Sequence, residues 1–342
     1  MKNVRADTKW FKDAGWGVAC HYLAGLPGGT GDPIGQELSA DDWNRRVDAF
    51  NLTGLIQQLE SIGTRYFWLA LGQNSGHYCS PNATYDSFVG IKPSKCSRRD
   101  LISDLADELQ KRGIRLLVYM PAGAPCNDAI AVSRLEWEWG YENTGGGTKR
   151  IGKRLAEFQV KWEAIIKEWS LRWGKKVSGW WIDGCYFADE MYRHPDPPNF
   201  QSFASALKAG NPDAIVAFNP GVKVPVISHT EFEDYTAGEI SEAFPANTSY
   251  QSLSRWVNGA QYHILSYLGE GWCLGQPRFP DEFVIGATRH INSFGGVVTW
   301  DVPITKEGLI PQPFFRQLMV LSTAQGGYSV CTTRDKESNR GN

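Results

Sequence analysis

The sequence predicts a single-domain α/β fold, a closed (β/α)8 barrel. Short apolar runs recur along the 342 residues, stretches of helical length separate them, and the runs number eight. The hydrophobic content of 42% supplies one large core, and barrels of this kind regularly exceed about 250 residues as one unit. A doubly wound open sheet is the rival architecture. Eight strands with interleaved helices fit closure better.

The strands are expected at 16–23, 66–72, 115–120, 179–183 and 214–219, with weaker runs at 235–240, 262–268 and 296–304. Helices are expected between them. In 47–62, Val47, Phe50, Leu55, Ile56 and Leu59 share one face; in 98–112, Leu101, Ile102, Leu105 and Leu109 do so, with Gly113 as a stop. The segment 157–173 repeats Phe158, Trp162, Ile165, Ile166 and Trp169, and 200–208, 281–292 and 313–322 complete the set. Two Gly-rich insertions, 25–41 and 140–153, either line the barrel mouth or are surface linkers. The barrel is expected to span 1–331, and 332–342 to form a polar, frayed tail.

Charge excludes several partners. With 35 Lys plus Arg against 37 Asp plus Glu, the chain has no electrostatic footprint for nucleic acid or an anionic membrane surface. No apolar run approaches the ~20 residues of a membrane span. The seven cysteines are scattered without zinc-ligand spacing, so neither a metal site nor a disulfide framework is expected, and no cofactor is implied. Reduced thiols suit the cytoplasm, and a trimmed leader would instead suit a periplasmic or secreted protein, so localisation stays open. The 14 Trp, 13 Tyr and 16 Phe belong mainly to the core. Some of them can serve a saccharide, whose C–H face packs on an aromatic ring while its hydroxyls need polar partners.

In a barrel of this kind the chemistry sits at the C-terminal strand ends. Read in order, those ends deliver His21, Gln73 with Asn74, Tyr119, Asp183, Asn219, Glu239, the run from His263 to Tyr267, and Asp301. Asp183 stands out: Trp180-Trp181-Ile182-Asp183-Gly184 puts a carboxylate directly after an apolar strand, although an Asp-Gly turn closing a strand is also common. Glu239 follows small residues that leave room at its carboxyl group. Together the two form the carboxylate pair that glycoside hydrolysis requires. Asp301 is the reserve proton donor. His21 reads first as a hydrogen-bonded core histidine. Cys185 lacks a His-Asn partner pattern and is not taken as a nucleophile.

With these residues in view, the chain resembles the retaining α-L-fucosidases of glycoside hydrolase family 29. The run from Trp10 to His21 is similar to that family's opening strand, and Asp104 to Tyr119 to its third unit. Trp181-Ile182-Asp183-Gly184 is similar to the nucleophile segment, Asp234 to Glu239 to the stretch that ends in the acid/base of some members, and Gly295 to Pro311 to the last strand and turn. The resemblance implies Asp183 as nucleophile and Glu239 as general acid/base. It implies sugar contacts from His21, Gln73, Asn74, Tyr119, Trp180, Trp181, Asn219, His263 and Asp301. Departures are visible as well. Gly72-Gln73-Asn74-Ser75-Gly76-His77 stands where the family carries paired histidines, Tyr262-His263 replaces a Trp-Glu, Asp301 replaces an Asn, and the C-terminal β-sandwich has no counterpart. Its loss would expose a surface that a second subunit could cover. The expected function is an exo-acting retaining glycosidase on a terminal sugar, fucose or a related or substituted one. The alternatives are a saccharide-binding barrel without hydrolysis and a metal-dependent hydrolase or isomerase using His21, Asp183, Glu239 and His263.

Overall fold

The computed structural model describes residues 5–25, 38–138, 141–143, 148–150, 153–241 and 254–326. Seven strands form one parallel sheet: β1 (Trp16–Cys20), β2 (Tyr66–Ala70), β3 (Arg115–Pro121), β4 (Val177–Asp183), β5 (Ile215–Phe218), β6 (His263–Tyr267) and β7 (Val297–Asp301). Their order is β6-β7-β1-β2-β3-β4-β5. The helices are α1 (Lys9–Ala14), α2 (Ala40–Asp48), α3 (Leu52–Ser61), α4 (Ala83–Val89), α5 (Leu101–Gln110), α6 (Ala129–Leu135), α7 (Ala156–Trp173), α8 (Ala188–Met191), α9 (Phe200–Leu207), α10 (Asp281–Ser293) and α11 (Gln312–Ala324). This is the (β/α)8 type of barrel that the alternating pattern implied.

Two expectations change. The helix expected at 47–62 is two helices, because the Asn51 side chain accepts a hydrogen bond from the Gly54 N–H and caps a new start. The strand expected at 235–240 is an irregular stave that closes the ring between β5 and β6. It makes isolated parallel bridges, Tyr235 to Gln261 and Glu239 to Leu265. On its other side the Asp234 N–H donates to the Val216 carbonyl at 2.8 Å, and the Val216 N–H donates to the Asp234 carboxylate at 2.8 Å. The cause is Gly238. Its φ of +62° is left-handed, and a Cβ there would stand 1.9 Å from the His263 carbonyl oxygen, so the extended ladder cannot run through it.

Strand alternation splits the core into two layers. The inner layer, within the barrel, holds Tyr66, Trp68, Leu117, Tyr119, Trp181, Ile215, Tyr235 and Leu265. The outer layer, between sheet and helices, holds Phe67, Leu69, Val118, Trp180, Ile182 and Val216. Phe11 of α1 plugs the N-terminal end, its ring 5.0 Å from Tyr66, 5.0 Å from Tyr235 and 5.4 Å from His263. Of the two Gly-rich insertions, residues 26–37, 140, 144–147 and 151–152 lie outside the described residues, as does the tail. Tyr141–Asn143 pairs antiparallel with Thr148–Arg150. Among the described residues no helix is long and apolar enough to cross a membrane, and the six described cysteines are free thiols.

Gly238→Ala should lower stability by about 2–4 kcal/mol, since it adds a left-handed strain to a backbone clash. Urea unfolding reads this directly; an unchanged midpoint would show that the stave gives way without cost.

Candidate active site

The site is built on β4. A period of two turns Trp181 and Asp183 inward and Trp180 and Ile182 outward. Trp181 lies on the barrel floor, its indole N–H donating to the Ala237 carbonyl at 3.0 Å and its ring stacked on Tyr119 at 5.5 Å. Trp68 completes this floor, 5.3 Å from Tyr119 and 5.8 Å from Trp181.

Asp183 stands half-buried above the floor. The Tyr119 hydroxyl donates to its Oδ2 at 2.7 Å, the Asn219 Nδ2 to its Oδ1 at 2.8 Å, and the Tyr186 hydroxyl to the same oxygen at 3.2 Å. Gln73 Nε2 in turn donates to the Tyr119 hydroxyl at 2.6 Å. Burial, then the charge of Asp183, pushes the Tyr119 phenol up, which keeps it a neutral donor. Asn219 also donates to Glu239 Oε2, at 2.6 Å. One nitrogen therefore touches both acids, and the two oxygens cannot be farther apart than those two bonds laid end to end. Glu239 is pushed up to about 7, by burial first and by the charge of Asp183 second, with the Asn219 hydrogen bond opposing. Glu239 is thus the acid in this cleft that favours its protonated form.

His21, one residue past β1, is buried against the edge of this floor, 5.1 Å from both Trp68 and Tyr119. Its Nδ1 is bonded to Asp301 Oδ1 at 2.8 Å, and the Cys273 N–H donates to Asp301 Oδ2 at 2.8 Å. Among the described residues, a His21 ring nitrogen, Cys273 Sγ and an Asp301 oxygen are the group with metal-ligand chemistry, within 4.8 Å of one another. They suit a metal poorly. Nδ1 and Oδ1 sit at hydrogen-bond distance, and burial with the Asp301 charge pushes the Cys273 thiol up, away from the thiolate a metal binds. The cluster instead orients an imidazole.

Four expectations are corrected by placement. Trp180 faces outward and stacks on Trp173 of α7 at 5.7 Å, so it does not approach a ligand at the mouth. His263 opens β6 rather than ending it, and so lies at the closed end of the barrel. There it bonds the Thr236 carbonyl at 2.9 Å and Thr299 Oγ1 at 2.7 Å, and burial pushes it down to about 4. The four-residue metal set of His21, Asp183, Glu239 and His263 therefore does not assemble. Asp301 is fully buried with both oxygens engaged; it holds His21 rather than reaching a sugar or donating a proton.

His21, Gln73, Tyr119, Trp181, Asp183, Asn219 and Glu239 do come together, and Asn74 stands exposed at the rim. The strand-end reading missed Trp68, Tyr186, Trp137 and Trp272. Trp68 was recoverable, since it has the inward parity of Ala70 on β2. The others sit on loops, where no periodicity marks a facing side chain. The Trp272 ring, for example, lies 6.2 Å from that of His21 and 5.0 Å from that of Tyr267.

No protein-family model and no curated protein sequence matches the chain. Solved structures match its fold. The endo-fucoidan hydrolase MfFcnA4 from glycoside hydrolase family 107 aligns with a TM-score of 0.68 at 20% identity, over 92% of this chain and 53% of that one. The chain thus spans about half the length of that enzyme. The α-L-fucosidase AlfC from Lactobacillus casei, in complex with its α-L-fucose product, aligns with a TM-score of 0.60 at 15% identity, over 93% of this chain and 97% of that one. A bacterial fucosidase with a monovalent iminocyclitol inhibitor aligns at 0.59 and 15% identity, over 96% and 76%. The chain has the fold of these fucose-handling hydrolases, as the motif resemblance implied.

The Glu239 shift has two measurable consequences. Its folded pKa exceeds its ordinary value of 4.5, so the stability it contributes is complete below about pH 4.5 and is lost as pH rises through about 7. Asp183→Asn removes the second cause and should bring the Glu239 pKa down, as read by carboxyl 13C NMR titration. An unmoved Glu239 would mean that burial alone sets it.

Proposed function

We propose that the protein is a retaining glycoside hydrolase of the α-L-fucosidase type, acting on a terminal sugar, fucose or a related or substituted one. The observation that carries this reading is the Asn219 amide bonded to both Asp183 and Glu239. That arrangement agrees with the roughly 5–5.5 Å separation of retaining enzymes rather than with the wider gap of inverting ones.

The chemistry follows from the proton that Glu239 holds beside Asp183. Asp183, held by Tyr119 and Asn219, is the nucleophile and attacks the anomeric carbon. Glu239, protonated up to about pH 7, gives its proton to the departing glycosidic oxygen. The covalent glycosyl-Asp183 ester then yields to a water whose proton Glu239 takes back, and the sugar leaves with its configuration retained. The aromatic floor of Trp68 and Trp181 supports the sugar's C–H face. His21, turned by Asp301, offers Nε2 to a hydroxyl. Gln73 and Asn74 stand where the family has histidines and supply donors and acceptors that do not titrate.

Turnover of 4-nitrophenyl α-L-fucopyranoside and related aryl glycosides tests this. The first product anomer seen by NMR should match the substrate, and kcat/KM for a substrate with a poor, sugar-like leaving group should fall as pH rises through about 7. Asp183→Asn should lower kcat by at least about a thousandfold with sugar binding kept. Azide should rescue Glu239→Ala and yield a glycosyl azide of the substrate's own configuration. An inverted first product overturns the retaining assignment. Calorimetric sugar binding with no product over long incubation would make the protein a saccharide-binding barrel instead.

A further inference from the structure

A cavity of about 150 Å³ opens beside Asp183 on the side of the β3 and β4 loops. Tyr119, Asp183, Tyr186, Trp137, Asn74 and Cys126 are among the residues that line it. Neither His21 nor Glu239 lines it. Its construction is specific. Glu136 ends α6 in a left-handed conformation with φ +62°, and the Trp137 N–H then donates back to the Val132 carbonyl at 2.9 Å, a helix stop that folds the next side chain under the helix. The indole arrives over Gly123, where a Cβ would stand 2.5 Å from the ring, and it packs on Phe158 at 4.6 Å. A tryptophan has thus been given a glycine to lie on and faces a nucleophile-bearing wall.

The position of the proton donor decides what the cavity takes. The glycosidic oxygen must lie within reach of Glu239, which does not line the cavity, while the nucleophile Asp183 does; the occupant is therefore assigned to the sugar under attack and not to the part released. No lysine or arginine lines its described wall, while Asp183 does. Among the described residues, an anionic group there would meet the Asp183 carboxylate and no lining countercharge. Pro121, Gly123, Ala124 and the indole suit an uncharged, partly apolar group.

We infer that this cavity is a subsite for an uncharged group carried by the attacked sugar, with Trp137 as its specificity-determining residue. The inference rests on the glycosidase reading and narrows its substrate to a sugar bearing an O-acyl or O-alkyl substituent or a neutral sugar branch. The test uses the Asp183→Asn variant of the full chain and calorimetry, so that it does not depend on turnover. The ligands are 4-nitrophenyl α-L-fucopyranoside, its mono-O-acetyl, mono-O-methyl and mono-O-sulfate derivatives at each ring hydroxyl, and the same glycoside extended at each hydroxyl by one glucose. At one hydroxyl a neutral derivative should bind at least tenfold more tightly than the bare glycoside, and the sulfate at that hydroxyl should not. The O-acyl or O-methyl arm and the glucose arm separate the two sources. Adding Trp137→Ala should bring the ratio of substituted to bare affinity close to one. Gly123→Ala, which pushes the indole into the cavity, should lower the same ratio and stands in if Trp137→Ala does not fold. Equal or weaker binding of every neutral derivative, or tighter binding of a sulfate, overturns the subsite. Absence of turnover by the wild-type chain on a derivative that Asp183→Asn binds overturns the hydrolytic reading and leaves the subsite standing.

Discussion

The site depends on one amide. Asn219 is fully buried, and every polar group it owns is committed. Its backbone N–H donates to Ile182 and its carbonyl accepts from Cys185, which ties it to both sides of Asp183 on the neighbouring strand. Its Oδ1 accepts from the Gly221 N–H, which leaves Nδ2 the donor toward the two carboxyl groups. The distance between the acids is therefore spanned by one planar side chain whose own backbone is held by β4 and the residues that follow it. Within that distance burial, and then the charge of Asp183, pushes the Glu239 carboxyl up, so that Glu239 is the group that holds a proton.

The irregular stave serves the same arrangement from the other side. A regular strand at 235–240 would need an extended residue before Glu239. Gly238 instead turns left-handed against the His263 carbonyl, and Asp234 compensates for the lost ladder. That carboxylate is buried, accepts from the Ala6 and Val216 N–H groups and pairs with Lys208 at 2.7 Å. A buried charge so fully partnered keeps the stave in place where few backbone bonds remain. Barrel closure and the placement of Glu239 are in this sense one structural solution.

The strand ends were largely legible because a parallel barrel strand is an apolar run whose termination is visible in the sequence. His21, Asp183, Asn219 and Glu239 all follow such runs and all reach the site. Errors arose where a run alone leaves parity or register undetermined. Trp180 and Trp181 look equivalent in sequence, yet a period of two sends one to a helix and the other to the floor. Tyr262-His263 begins β6, and reading it as that strand's functional end places it at the wrong end of the barrel. Asp301 ends its strand as expected, but its neighbours His21 and Cys273 consume both oxygens.

By itself the sequence determined the alternation of strand and helix, the barrel it implies, and the identity of the acid that follows the fourth strand, because these depend on local periodicity and on where apolar runs stop. Tertiary structure alone decided that Asn219 would join Asp183 to Glu239, that Asp301 would serve His21, and that Trp137 would line the cavity beside Asp183. Those contacts join residues 20 to 280 positions apart, or depend on a helix cap and on a glycine that leaves room for an indole. Their geometry exists only once the sheet has closed and brought the strand ends to a common mouth.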